Sequence, residues 1–256
     1  MPSSIQSLTH PFVKHLVRLR KEASYRQETG LVWVEGKKMV QELLPFCASV
    51  IRREGLEPLP LPSACQEWVM AKRVMEKISG VVTADGWGAE VHIPLCPGRM
   101  PPAFVLAIDG VQDPGNVGAL LRSALALGWK EVYLLPGCAD PFQEKTIRSA
   151  KGAQYRLSVR KGGFEALRKW SQTEKIPLFV ADLQGVAPES IRSKEPKVLV
   201  VGNEGRGASL EVKGACQAVS IPMDPEMESL NVAAAGAILL YLLKECGVVL
   251  HFDEDA

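Results

Sequence analysis

Residues 104–128 read FVLAIDGVQDPGNVGALLRSALALG. Phe104–Ile108 is almost continuously apolar, as a strand buried on both faces must be. After a polar, glycine-bearing loop, Val117–Leu127 carries apolar residues at helical spacing, and Gly128 supplies the stop. Asp113 is placed to cap this helix, with Pro114 in its first turn. Gly115, Ala119, Arg122 and Ala126 fall on one stripe, small residues that admit a second backbone and one arginine emerging among them. Asn116, in the first turn, lies about 120° around the helix from Arg122, so the two flank a site. A capped helix with one solvent-exposed arginine accounts for the same residues.

The same alternation continues outward. Strands are expected at Glu131–Leu135, Arg156–Val159, Pro177–Ala181, Val198–Val201 and Ala218–Ile221, and helices at Phe142–Ser149, Gly163–Glu174 and Asn231–Lys244. Apolar strands alternating with helices imply an α/β fold with a parallel sheet covered on both faces. Upstream, Ile93–Pro102 holds four prolines and a glycine, which stop helices and exclude central strands. The domain boundary falls there, giving a smaller α/β domain over 1–97 and a second domain over 103–256. In the first, the pattern predicts a basic helix over Pro11–Glu28, a strand at Leu31–Val34 and a helix at Gly36–Leu44. It continues with a strand at Val50–Arg53, a helix at Ala64–Ile78, and strands around a turn at Asp85-Gly86 within Val81–Val91.

Net charge is +1, which excludes a globally basic nucleic-acid binder, so distribution matters more than the sum. Met1–Lys38 carries seven Lys/Arg against three acids, and Glu144–Lys169 eight against two. Two basic segments on a neutral chain suit a phosphate backbone lying across one face; solvated helix faces would look the same. The six cysteines are scattered without a C-x-x-C pair or nearby histidines. That spacing argues against a zinc site or disulfide framework and for reduced, cytoplasmic thiols, with Cys216 and Cys246 read as buried structural groups. No secretory signal is visible, and the apolar run Val232–Leu243 is too short to suggest a membrane span.

Two further segments place polar loops at strand ends, where ligands of open α/β sheets bind. In VLVVGNEGRGAS (198–209) a buried strand opens into three glycines and one acid, Glu204. The spacing matches neither the P-loop nor the dinucleotide fingerprint. In VSIPMDPEMESLNVAAAGAILLYLL (219–243) a strand ends at Ile221-Pro222-Met223, an acidic turn follows, and an apolar helix begins. Ser229 is a natural N-cap for it; Asn231, just inside, is harder to place, because asparagine prefers caps to helix interiors.

In this order and spacing, DPGNVGALLRSALALG, VVGNEGRG and IPMDPEMESLNVAAA resemble the three motifs of the SpoU (TrmH-type) class of SPOUT methyltransferases, over about Phe104–Leu243. Lys145–Ala153 (KTIRSAKGA) resembles the family's basic stretch. More loosely, HPFVKHL and VEGKKMVQEL resemble the substrate-binding domain that often precedes this catalytic domain.

The resemblance implies a parallel sheet with a deep trefoil knot, a homodimer, and methyl transfer from S-adenosylmethionine to an RNA ribose 2′-hydroxyl without a metal. By matched motif, Gly202, Ile221 and Leu230 are expected to contact the cofactor, and Asn116, Arg122, Glu204, Ser229 and Asn231 to form the reaction site. Arg122 is often described in this family as the base, yet a guanidinium stays protonated. A phosphate or alkoxide contact that lowers the hydroxyl's pKa suits it better, with Ser229 or Asn231 orienting the hydroxyl. Lys14 and Arg18 on the first helix, with Lys145, Arg148 and Lys151, are expected to hold RNA phosphates. The two-domain layout favours ribosomal over transfer RNA. A non-catalytic RNA-binding assembly factor would share the fold and the basic faces. A small-molecule methyltransferase or dehydrogenase on a Rossmann-type sheet is opposed by the missing G-x-G-x-x-G.

Overall fold

The structure is a computed structural model that describes residues 4–63, 65–79, 85–96 and 98–244. Its described residues form two sheets, one on each side of the proline-rich run.

The first lobe comprises α1 (Pro11–Lys21), α2 (Ala23–Thr29), β1 (Leu31–Glu35), α3 (Lys37–Leu43), β2 (Cys47–Arg53), β3 (Gln66–Met70), α4 (Lys72–Ser79) and β4 (Trp87–His92). Its strand order is β1-β4-β2-β3, antiparallel except for the parallel β2–β3 pair. Two expectations fail here. Ala64–Ile78 is not one helix: Gln66–Met70 pairs with β2 as a strand, and the helix starts only at Lys72. A short apolar run built on Trp68 and Val69 fits either period, and the open edge of β2 decides it. The single basic helix over Pro11–Glu28 also breaks, at Glu22, whose backbone is extended (φ −110°, ψ 111°). The Arg26 guanidinium turns back to donate to the carbonyls of Leu19 (2.9 Å) and Arg20 (3.1 Å), near the end of the interrupted helix. Of the expected Val81–Val91 strands, Val81–Ala84 lies outside the described residues.

The second lobe runs β5 (Val105–Ile108), α5 (Pro114–Ala126), β6 (Glu131–Leu134), α6 (Glu144–Ala150), β7 (Ser158–Lys161), α7 (Phe164–Glu174), β8 (Leu178–Val186), β9 (Val198–Val201), α8 (Leu210–Ala215), β10 (Gln217–Val219) and α9 (Val232–Leu243). All six strands are parallel in the order β10-β8-β9-β5-β6-β7, as the α/β reading expects. Unforeseen were α8, six residues long, and the short 3-10 helices Ala153–Tyr155 and Pro188–Ile191. From β5 the chain builds outward to β7, then crosses to β8 and returns to lay β9 against β5. The order therefore switches between β5 and β9, and their carboxyl ends open side by side, where such sheets take ligands.

Helix packing around the switch depends on two glycines. A Cβ at Gly118 would stand 2.6 Å from both Thr146 O and Ser149 Cβ, so α6 lies against the backbone of α5. One at Gly236 would stand 2.3 Å from Leu120 Cδ2, which sets α9 against the same helix. The close approach thus falls at Gly118, and not along the Gly115–Ala119–Ala126 stripe, whose Ala126 is exposed.

The lobes share a hydrophobic cluster in which Val34, Val40 and Leu43 meet Phe142, Ile147 and Tyr155. Beside it the buried Arg26 pairs with Asp140 of the loop before α6, Nη2 to Oδ2 at 2.6 Å. At the far end of the second lobe two lysines clasp the end of α9. Lys197 is 2% exposed, and its Nζ donates to Ile191 O, Ser193 Oγ and Leu243 O. Lys244 Nζ donates to the carbonyls of Leu127 and Gly128. Burial pushes the thiols of Cys47 and Cys216 up to about 12, in keeping with inert structural roles; Cys246 lies outside the described residues. No helix among the described residues is long and apolar enough to cross a membrane.

Candidate functional site

Three loops meet over the β5–β9 switch, and each is held by its own short polar residues. In the first, Asp113 caps α5 by accepting from Asn116 N (2.9 Å), and its other oxygen takes Lys145 Nζ at 2.9 Å. The Lys145 bond, seconded by the Asn116 N–H, holds the Asp113 carboxyl below the usual aspartate range. The cap fixes the turn that carries Asn116.

The loop after β9 closes on itself. Asn203 and Gly207 exchange backbone hydrogen bonds of 3.0 and 2.9 Å, while Asn203 Oδ1 accepts from the N–H groups of Gly205 and Arg206. Asn203 Nδ2 reaches Gly110 O at 2.8 Å, and Asp109 Oδ2 accepts from Ser209 N at 2.7 Å, so the β5 and β9 loops are stitched together. Gly207 sits at φ +69°, and a Cβ at Gly202 would come within 2.1 Å of Ala208 N. The rigid loop presents Glu204 to solvent. Sequence reasoning passed over Asp109 and Asn203. The available signal was an asparagine between a strand end and two glycines, where its side chain mimics turn backbone.

The third loop leads into α9, and here the capping expectation is corrected. Asn231, not Ser229, is the N-cap, accepting from Ala233 N (2.9 Å) and Ala234 N (3.3 Å). That resolves why an asparagine stands at this position. Ser229 makes no hydrogen bond with the described residues and lines the neighbouring cavity instead.

The three loops join through side chains. Asn231 Nδ2 donates to Asn116 Oδ1 (3.1 Å), and Asn116 Nδ2 donates to Glu204 Oε1 (2.9 Å). Asparagine orientations are usually ambiguous, but here the helix end sets them. The N–H groups of Ala233 and Ala234 can only donate, so Asn231 turns its oxygen to them and its nitrogen outward. Asn116 must then offer oxygen to Asn231 and nitrogen to Glu204. The relay runs one way and ends on a carboxylate, which forms no ion pair among the described residues. Arg122, on the same helix as Asn116, is exposed and bonds to none of the three.

Beside the relay lies a cavity of about 430 Å³, within the span of small-molecule sites. Gly202, Ile221 and Leu230 line it together with Glu204 and Ser229; Asn116, Arg122 and Asn231 do not. Its walls are mostly aliphatic, from Val201, Val219, Val232 and Leu239. The backbone N–H groups of Ile221 and Leu230 find no protein acceptor among the described residues. Lys213 pairs with Asp182 at its edge (2.8 Å), holding that carboxyl below its usual range. Among the described residues no three His, Cys, Asp or Glu side chains cluster as a metal site.

The cations expected to meet RNA are spread over both lobes. Lys14 is exposed on α1, while Arg18 pairs with Glu22 (3.0 Å) and stacks over the Tyr25 ring (3.7 Å). Lys145, Arg148 and Lys151 are exposed on and just after α6; Arg148 faces Glu144 at 3.5 Å.

Comparison with known proteins bears on both lobes. Residues 103–241 match the SpoU rRNA Methylase family. The chain is 32% identical to the 23S rRNA (guanosine(2553)-2′-O)-methyltransferase RlmP of Bacillus subtilis (strain 168), over 94% of this chain and 98% of that one. It resembles the structure of a Porphyromonas gingivalis protein assigned to the TrmH family of RNA methyltransferases (TM-score 0.83, 32% identity, 93% and 98% of the two chains). It also resembles an RNA 2′-O ribose methyltransferase (TM-score 0.76, 27% identity, 94% and 98%).

Proposed function

The chain belongs to the SpoU rRNA methylase family of RNA methyltransferases, and from that premise we propose that it methylates a ribose 2′-hydroxyl of ribosomal RNA. The methyl donor is S-adenosylmethionine. The observation that carries this reading is the one-way relay from Asn231 through Asn116 to Glu204, set at the mouth of a cavity with free backbone donors.

The cavity fits the donor chemically. Its aliphatic walls suit an adenosine and a methionine chain, and the N–H groups of Ile221 and Leu230 and the close-packed backbone at Gly202 offer polar contacts. When bound, the donor supplies a methyl group already activated on sulfur. The protein's part is to orient the ribose oxygen and receive its proton. Asn116 engages one oxygen of Glu204, which leaves Oε2 to accept from the hydroxyl. With the donor held there, Glu204 would take up the hydroxyl proton and release it to water. Ser229, unbonded at the cavity wall, orients the hydroxyl. Arg122 keeps its charge and pairs with the flanking phosphate.

The same reading treats 1–97 as the substrate domain and 103–256 as the catalytic one, knotted as its family fold implies, in a cytoplasmic homodimer. Ala234, Ile238 and Tyr241 support the dimer as an exposed stripe along α9. The test is to incubate the protein with methyl-labelled donor and ribosomal RNA that lacks the modification. Label in one alkali-resistant dinucleotide is expected. Label on a base, or none on any RNA, defeats the proposal; label on transfer RNA alone defeats the choice of substrate.

A further inference from the structure

We propose that RNA reaches the reaction site over a strip that crosses both lobes, from the start of α3 along α6, with Lys37, Lys38 and Lys151 gripping its phosphates. This deepens the RNA reading above and rests on it. Helix α6 touches both the cluster shared by the lobes and the helix carrying Asn116. On one side a Cβ at Gly118 would collide with its backbone. On the other, Ile147 packs with Val40 and Leu43 of α3, and a Cβ at Gly152 would lie 3.2 Å from Met39 Sδ. Lys38 and Lys151 each stand one residue before that contact, one from each lobe.

Charge is available along this route. Lys37, Lys38 and Lys151 are exposed and enter no ion pair among the described residues, with Lys37 Nζ standing 6.0 Å over the Trp87 ring. Lys151 caps α6 in the left-handed region (φ 51°), which lifts it clear of the helix. Arg148 and Lys145 extend the strip, although Glu144 and Asp113 partly neutralise them. Asp113 is the cap that sets Asn116, so the strip ends on the relay. On α1, Arg18 is tied to Glu22 and Tyr25 and Arg26 on α2 is buried in the seam, while Lys14 and Lys21 stay exposed, which makes α1 the rival route in the test below. Exposed cations in a row suit a sugar-phosphate backbone, which binds by releasing counterions in proportion to the phosphates met.

The experiment measures binding of transcribed 23S ribosomal RNA to the full chain across a salt series, with Lys38→Glu, Lys151→Glu and, as a control elsewhere on the surface, Lys194→Glu. Each strip variant is expected to weaken binding about five- to tenfold and to flatten the salt dependence by about one phosphate contact. Donor binding and melting temperature should stay at wild-type values. Wild-type binding by both strip variants, with the loss carried by Lys14→Glu, overturns the route. Because binding is read without turnover, a wild-type protein that binds RNA along this strip yet methylates none would defeat the methylation proposal and leave the route standing.

Discussion

The relay over the sheet switch and the seam between the lobes both join residues far apart in the chain, with opposite chemistry. At the relay, neutral amides run between loops at the surface and end on a carboxylate with an oxygen to spare. At the seam, a buried guanidinium spends its hydrogens on one carboxylate and two carbonyls. Relay members stay near water, so losing Glu204 or Asn116 costs the fold little and changes what the site can accept. Asn231, which also caps α9, carries in addition a cap's worth of stability, about 0.5–2 kcal/mol. Arg26 is dehydrated and packed into the frame, so removing it takes away the close partner of Asp140 and leaves that carboxylate only the more distant Lys161, at 3.7 Å. The contrast separates residues that do chemistry from residues that hold the frame for it.

That separation is open to direct attack. Glu204→Gln keeps an acceptor for Asn116 and removes the one for the hydroxyl. Turnover is expected to fall by about 10²–10⁴-fold, the usual worth of a positioned base, with melting temperature and donor affinity unchanged. Near-wild-type turnover would place the proton elsewhere. Arg26→Ala should do the reverse. It is expected to cost about 3–5 kcal/mol of stability in denaturant titration, the range for breaking a buried pair, while the folded fraction keeps its turnover. If stability held and turnover collapsed, the seam would be part of the site. The smallest effect concerns pH at the cap. The Asp113 carboxyl is held below its usual range by Lys145, so the bond stabilises the fold at neutral pH. It is lost only as pH falls below the ordinary aspartate value of about 4 and on through the lower folded-state value. Comparing the melting temperatures of wild type and Asp113→Asn, a small gap at pH 7 should close in acid; a gap that widened there would reverse the sign.

The sequence exposes the relay far better than the seam. Glu204 is the one acid between three glycines, and Asn231 was conspicuous as a cap-forming residue with no cap to make. What stayed hidden was which of Ser229 and Asn231 would cap, because the choice depends on where α9 meets Asn116. The six parallel strands were legible because each is apolar and flanked by helical spacing. In the first lobe β3 was not, since five residues such as QEWVM carry no period of their own. Arg26 reads as one more cation on a basic helix. Nothing local announces that the helix breaks four residues earlier, or that a carboxylate 114 residues away waits for it.

The lysine clasp at the end of α9 has a consequence for how the chain becomes this molecule. Lys197 waits for a carbonyl 46 residues further on, and Lys244 for two that are 116 and 117 residues back. Closing such long loops is slow, because chain entropy must be lost before any bond compensates. The clasp therefore waits on the closure of long loops, and the cavity wall that α9 supplies matures with it. In refolding, donor binding is expected to lag behind recovery of the sheet. Lys197→Met would lengthen that lag if the bonds themselves guide closure, and leave it unchanged if packing alone does.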